Sequence, residues 1–279
     1  MTAIVLALAA AAVYGSADFF GGLATRRTPA TAVVVISQIS GVAVLAAAWL
    51  ALPSRFYPED VLWGALAGLA GGTAIAALYG ALAVGRMGVV SPITAVIGAS
   101  VPVAVGLLAG ERPGALALAG VACAFIAVAL VSANAETRGI SLREPGLKLA
   151  LLAGAGIGLL YVFVARGHAD AGLARLAVTR GVSIVVLAGY ALLRREALRP
   201  APGALRTILV AGVFDMGANV LYVLATRYGP LAIVAVLTSL YPASTVALAA
   251  TTLGERLTPP QWIGVALALA GVVGIAAAR

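Results

Sequence analysis

The chain has 279 residues, 62% of them hydrophobic and only 10% charged, with a mean hydropathy of +1.09. A soluble domain carries roughly 25% charged residues, so these totals exclude a surface that faces water throughout; a bilayer is the solvent that reconciles them. The net charge of +8 does not point to nucleic acid, because the 18 basic residues lie almost entirely between apolar stretches and along no amphipathic face.

Stretches of about 20 apolar residues, long enough to cross a bilayer as helix, fall at 2–22, 31–52, 61–84, 88–109, 114–132, 147–165, 172–192, 204–226, 229–252 and 260–278. They predict an all-α membrane protein of ten transmembrane helices. The first span has no basic residue ahead of it and carries Asp18, which argues against a cleaved signal peptide. Asp18 sits in YGSADFFGG, with Tyr14 and Gly22 one turn away on either side. The second span carries Gln38. Gly64, Gly68 and Gly72 in the third form a small-residue face suited to close helix packing, followed by Tyr79. Pro92 and Pro102 in the fourth span, and Pro242 in the ninth, are positions where a helix can kink.

Between the fifth and sixth spans lies the longest polar stretch, 133–146. The sixth span repeats the glycine spacing at Gly154 and Gly158. The short loop after it contains the sole histidine, His168, beside Arg166 and Asp170. Arg180 lies inside the seventh span, with Thr179 and Ser183 near it. In the eighth, Asp215, Asn219 and Tyr222 at i, i+4 and i+7 share one face. Tyr79, Tyr161, Tyr222 and Tyr241 are candidates to line a pathway, and Trp49, Trp63 and Trp262 lie at span ends as interface anchors.

The two halves repeat. Gly110-Glu111-Arg112 closes the fourth span and Gly254-Glu255-Arg256 the ninth, 144 residues later; Gly120 meets Gly264 at the same offset, and Leu78-Tyr79 meets Leu221-Tyr222 at 143. This divides the chain into a first five-helix repeat at 1–132, a polar linker at 133–146 and a second repeat at 147–279. An odd number of spans per copy sends the second copy in from the opposite face. The expected architecture is therefore two inverted five-helix repeats, a design used by secondary transporters to alternate access. Counting basic residues by loop gives eleven on one side and six on the other, which places both termini outside the cytoplasm.

Asp18, Arg180 and Asp215 are the charges well inside the spans. A charge at mid-bilayer costs roughly 2.5–3.5 kcal/mol even on the lenient insertion scale, so each is a functional candidate. Asp215 is read as a proton or substrate-ammonium site, with Asn219 and Tyr222 orienting the ligand. Two uses of Arg180 stay open, a bidentate grip on a substrate carboxylate or a pair with Asp215. Asp18 either faces a solute or snorkels to the interface. The lone Cys123 excludes an intramolecular disulfide and a Cys-based metal site. No H-E-x-x-H, P-loop or G-x-S-x-G motif is present, so no cofactor is expected and an enzyme is the poorer reading.

The stretches YGSADFFGGLATRR, GRMGVVSPITAV through GERPGALALAG, and AGVFDMGANVLY through LYPASTVALAATTLGERLTPPQWIGVALALAG resemble the EamA family of the drug/metabolite transporter superfamily. The resemblance covers essentially the whole chain. It implies a bundle with a central pathway, alternating access, and export or exchange of small metabolites such as amino acids in a bacterial inner membrane, with both termini cytoplasmic. By resemblance, Asp18, Gln38, Arg180, Asp215 and Asn219 fall at recurrent polar positions. The leading expectation is a proton-linked secondary transporter whose partners are a small-molecule substrate, protons, membrane lipids and, through the glycine faces, a second copy of itself. The alternatives are an uncoupled facilitator and a flippase of lipid-linked groups.

Overall fold

A computed structural model of the chain describes residues 1–52, 54–84, 87–110, 112, 114–131, 146–253, 259–260, 262–264, 266–267 and 270. Among them the regular structure is helical throughout: α1 (Thr2–Thr25), α2 (Ala30–Ala51), α3 (Asp60–Val84), α4 (Met87–Leu108), α5 (Ala115–Val131), α6 (Leu147–Ala165), α7 (Gly172–Arg194), α8 (Leu205–Thr226), α9 (Leu231–Thr238) and α10 (Tyr241–Leu253), with one 3-10 turn at Ala169–Ala171. Six of these, α1, α2, α3, α6, α7 and α8, are long and apolar enough to cross a membrane. At a rise of about 1.5 Å per residue even the 19 residues of α6 approach the thickness of the hydrocarbon layer. Leu50, Leu108 and Leu193 are almost fully exposed, as expected of side chains that meet lipid.

The first eight spans read from the sequence match helices, with ends shifted by a few residues. The ninth does not form one helix. Pro242 has no N–H to give to the carbonyl of Thr238, so the ladder stops at a turn over Ser239 and Leu240 and restarts as α10. By contrast α4 runs through Pro92 and Pro102 without interruption. Most of the tenth span, the 133–145 stretch and the second GER motif lie outside the described residues. Gly110 of the first GER adopts φ +93° just past α4, a left-handed turn that favours glycine.

The core is built from alanine, glycine and valine, so backbones approach closely. Each glycine of the α3 face meets α7: Gly64 abuts Val178, Gly68 the carbonyl of Thr179, and Gly72 the hydroxyl of Ser183. A Cβ on Gly68 would lie 2.6 Å from that carbonyl, so only glycine permits this spacing. Gly154 and Gly158 of α6 seat against Ile97 and Val101 of α4 in the same way.

Helix contacts come in matched pairs. α1 packs along α8 and α6 along α3; α2 lies on α8 as α7 lies on α3; α2 and α7 meet each other at the centre. α1 also touches α9 and α10, while α6 touches α4.

Candidate functional site

The middle of the bundle encloses a cavity lined by α1, α2, α3, α6, α7, α8 and α10. Its volume is about 50 Å³, room for a few waters. One wall is apolar, formed by Ile75, Leu78, Ile157 and Leu160. The other carries Asp18, Gln38, Arg180, Ser183, Asp215 and Asn219. Five of the seven predicted site residues, brought from α1, α2, α7 and α8, therefore meet at one place.

Arg180 and Asp215 form an ion pair, Nη2 to Oδ2 at 2.7 Å. The contact is single-pronged. Nε of Arg180 is buried and hydrogen bonds to nothing, so the pairing does not use up the guanidinium. Oε1 of Gln38 and Oγ of Ser183 are likewise buried without a partner, and both residues are under 5% exposed. A buried polar atom left unpaired costs roughly 1–3 kcal/mol, and these three atoms belong to residues that line one small space. Asn219 donates from Nδ2 to the carbonyl of Asp215 at 2.8 Å, which fixes the amide against its own helix. Asp18 faces the same cavity, away from the helix ends, and among the described residues it makes no ion pair or hydrogen bond.

Two predicted residues stand elsewhere. Tyr222 is buried, stacks on Tyr161 with ring centres 4.6 Å apart, and donates its hydroxyl to the Tyr161 carbonyl at 3.2 Å. Tyr79 is buried with its hydroxyl against Gly21. Both sit behind the lining. Helical spacing gave Tyr222 the right face of α8, but a position two turns from Asp215 lies about 10 Å further along the axis, beyond the reach of the cavity. Tyr14, Tyr161 and Tyr241 do line it. Tyr14 leans on Tyr161 with ring centres 6.2 Å apart, and Phe20 of α1 stacks on Phe214 of α8 at 5.9 Å.

A second polar cluster ties the α2–α3 loop to the α6–α7 loop. Asp60, in the first turn of α3, accepts from Arg175 Nη1 at 2.7 Å, and both side chains are about 95% buried. Arg175 also donates from Nε to the Val164 carbonyl and from Nη2 to the His168 carbonyl. The backbone N–H of His168 donates to Asp60, and its ring stacks on Tyr57 at 3.9 Å. Tyr57 donates to Asp170 at 3.0 Å. Gly167, at φ +77°, lies so close to Asp60 and Arg175 that a side chain there would displace them. None of this is signalled by spacing, since Asp60 and Arg175 are 115 residues apart. At the opposite end the α1–α2 and α7–α8 loops meet through one hydrogen bond, the N–H of Ala201 to Oγ1 of Thr28 at 3.0 Å.

Helices of spanning length around a partly charged central cavity define a multi-pass membrane protein with an internal polar site, the arrangement of a carrier. The EamA-like transporter family matches residues 1–133 and 144–277, and the chain belongs to that family. It is thus a membrane transporter of the drug/metabolite type, for which a small-molecule substrate is implied. Among solved structures 29 chains match. One, a crystal structure of a protein, aligns over 98% of this chain and 95% of its own with a TM-score of 0.76 and 18% identity, a likeness of fold alone. No curated protein matches.

Proposed function

We propose that the chain is a proton-linked secondary transporter that exports or exchanges a small amphipathic metabolite of the amino-acid kind across a bacterial cytoplasmic membrane. The observation that carries this reading is the central cavity, where apolar and charged walls face each other and polar atoms of Gln38, Arg180 and Ser183 lack partners. A zwitterion fits such walls. Its carboxylate meets the unpartnered Nε of Arg180, its ammonium meets Asp18, and its side chain lies on Ile75, Leu78, Ile157 and Leu160. Asp215 and Asn219 complete the polar side, with Asp215 able to exchange Arg180 for a proton or for the substrate ammonium. Tyr222 and Tyr79 act from behind, by holding Tyr161 and α1 in place.

The cycle proposed is alternating access by two inverted five-helix repeats at 1–132 and 147–279, joined by 133–146. Three features support it. The family matches the chain in two segments of nearly equal length. Helix contacts are paired, α1 on α8 with α6 on α3. Gly68 and Gly212, 144 residues apart, each receive a backbone carbonyl of the facing helix, from Thr179 and Ser37 respectively. At 50 Å³ the cavity is too small for an amino acid, so the helices part to load it.

A substrate screen in proteoliposomes, with and without an imposed pH gradient, tests this. Uptake should follow the gradient in the parent protein, and Asp215→Asn should abolish that dependence. Gradient-independent flux in both would make the protein a facilitator; full coupled activity in the variant would remove Asp215 from the mechanism.

A further inference from the structure

We infer that, on the reading of the central cavity as an amino-acid site, Gly71 of α3 and Leu160 of α6 form a size filter on its apolar side, which makes the cargo an amino acid with a small aliphatic side chain. Ile75, Leu78, Ile157 and Leu160 line the cavity across from its charged wall, and Gly71 lies beside them one turn before Ile75. None of these side chains can donate or accept a hydrogen bond. A substrate amide or carboxylate set against them would give up its water without gaining a partner, whereas methyl and methylene groups lose nothing. The wall therefore favours leucine over asparagine, which has nearly the same shape. An aromatic ring would need one of these side chains to move aside, since the cavity is only about 50 Å³.

Gly71 sets the room available. A Cβ at this position would lie 3.1 Å from both δ carbons of Leu160 and 3.5 Å from its Cγ. The isobutyl group of Leu160 thus rests in the dent that the missing Cβ leaves, and the cavity beside it stays open. Neighbouring glycines do a different job. A Cβ at Gly68 would meet the Thr179 carbonyl and one at Gly72 would meet Ser183, contacts that set the distance between α3 and α7. The distance between α3 and α6 is set one turn before Leu160. There a Cβ on Gly156 would lie 2.8 Å from the Cβ of Ala74 and 3.0 Å from the Ala70 carbonyl oxygen. With both spacings held elsewhere, a side chain at position 71 meets first the far end of a flexible residue. Leu160 yields, and the nearest free volume is the cavity that both residues line.

Opposite effects follow from the two positions. Gly71→Ala drives Leu160 into the cavity and shortens the longest side chain it admits. Leu160→Ala removes the isobutyl group and lengthens it. In the double variant there is no leucine left to displace, so the restriction caused by Gly71→Ala disappears. A packing role alone would lower the transport of every substrate alike. One methylene in a hydrophobic pocket changes discrimination by roughly 10–200-fold, which is the size of effect to be read.

The experiment uses the full chain in proteoliposomes preloaded with unlabelled amino acid, so that exchange is measured without a pH gradient. The probes are labelled L-alanine, L-leucine, L-asparagine and L-phenylalanine, compared by kcat/KM. The parent is expected to exchange alanine and leucine and to reject the other two. Gly71→Ala should lower the leucine-to-alanine ratio at least tenfold, and Leu160→Ala should raise the phenylalanine-to-leucine ratio at least tenfold. The double variant should keep the leucine-to-alanine ratio of Leu160→Ala. Gly181→Ala, where an added Cβ meets nothing within 4 Å, should leave both ratios unchanged. Ratios within one variant cancel differences in yield, and Leu160→Ala carries the test should Gly71→Ala not fold. Asparagine or phenylalanine exchanged by the parent as fast as leucine, unchanged ratios in the single variants, or a double variant as restricted as Gly71→Ala overturns the filter while the amino-acid reading stands. No exchange of any of the four by the parent overturns both.

Discussion

Ser183 lines the central cavity, and its hydroxyl is buried against Gly72 with no hydrogen-bond partner. Ser183→Ala should therefore leave the unfolding free energy within about 0.5 kcal/mol of the parent, while a lost substrate hydrogen bond of roughly 0.5–1.5 kcal/mol raises the transport KM about twofold to twelvefold. A drop in stability with unchanged KM would make the residue structural. Asp215→Asn is different in kind. It leaves the Arg180 guanidinium without its countercharge, and a hydrogen bond to a charged group is worth roughly 1.5–3 kcal/mol. Chemical unfolding in detergent should show a loss in that range, alongside the loss of gradient coupling. At this scale the sequence was informative wherever a charge interrupts an apolar span, because lipid tolerates such a residue only with a reason. Asp18, Arg180 and Asp215 were legible on that ground. Asp60 and Arg175 were not: they sit at span ends, where charges are ordinary, and only folding makes them partners.

Glycine faces decide how the helices approach. On α3 a Cβ at Gly68 would lie 2.6 Å from the Thr179 carbonyl and 2.8 Å from Val182, so Gly68→Ala must push α3 from α7. A loss of about 1–3 kcal/mol is expected, the range for overpacking a tight core. Gly181 and Gly189 of α7 have nothing within 4 Å of an added Cβ, and alanine at either should be neutral within about 0.5 kcal/mol. Equal effects at Gly68 and Gly181 in a thermal unfolding series would deny the packing role. The G-x-x-x-G spacing announced these faces but not their partners, since spacing records one surface and contact needs two. The ninth span shows the converse limit. Hydropathy is blind to hydrogen bonding, so 229–252 reads as one apolar run although Pro242 divides it into α9 and α10.

At the scale of the molecule, the two ends are unequally fastened among the described residues. The Asp60–Arg175–His168 cluster joins the α2–α3 and α6–α7 loops through several hydrogen bonds, whereas Thr28 and Ala201 join the opposite pair of loops through one. Breaking a buried ion pair by removing one partner costs about 3–5 kcal/mol. Asp60→Asn and Arg175→Gln should each destabilise by that order, and the double variant by much less than the sum. Additive losses in a double-mutant cycle would show that the pair acts as two separate residues. On the alternating-access reading the same substitutions loosen one end. With Cys123 first replaced by serine, a cysteine in place of Ser183 should then react faster with an impermeant thiol reagent applied from the Asp60 side, and an unchanged rate would separate the cluster from gating.

The sequence by itself determined the solvent, the helical class, most of the span limits and which charges are out of place, because each follows from local composition and from the bilayer's demand that backbone groups bond within a segment. Tertiary structure alone decided that Asp18, Gln38, Arg180, Asp215 and Asn219 share one cavity, that Tyr222 and Tyr79 stand behind it, and that Leu160 lies against Gly71. Those are distances between helices far apart in the chain, and helix–helix packing in lipid is set by shape and small-residue contact, for which a single sequence carries no pairwise signal.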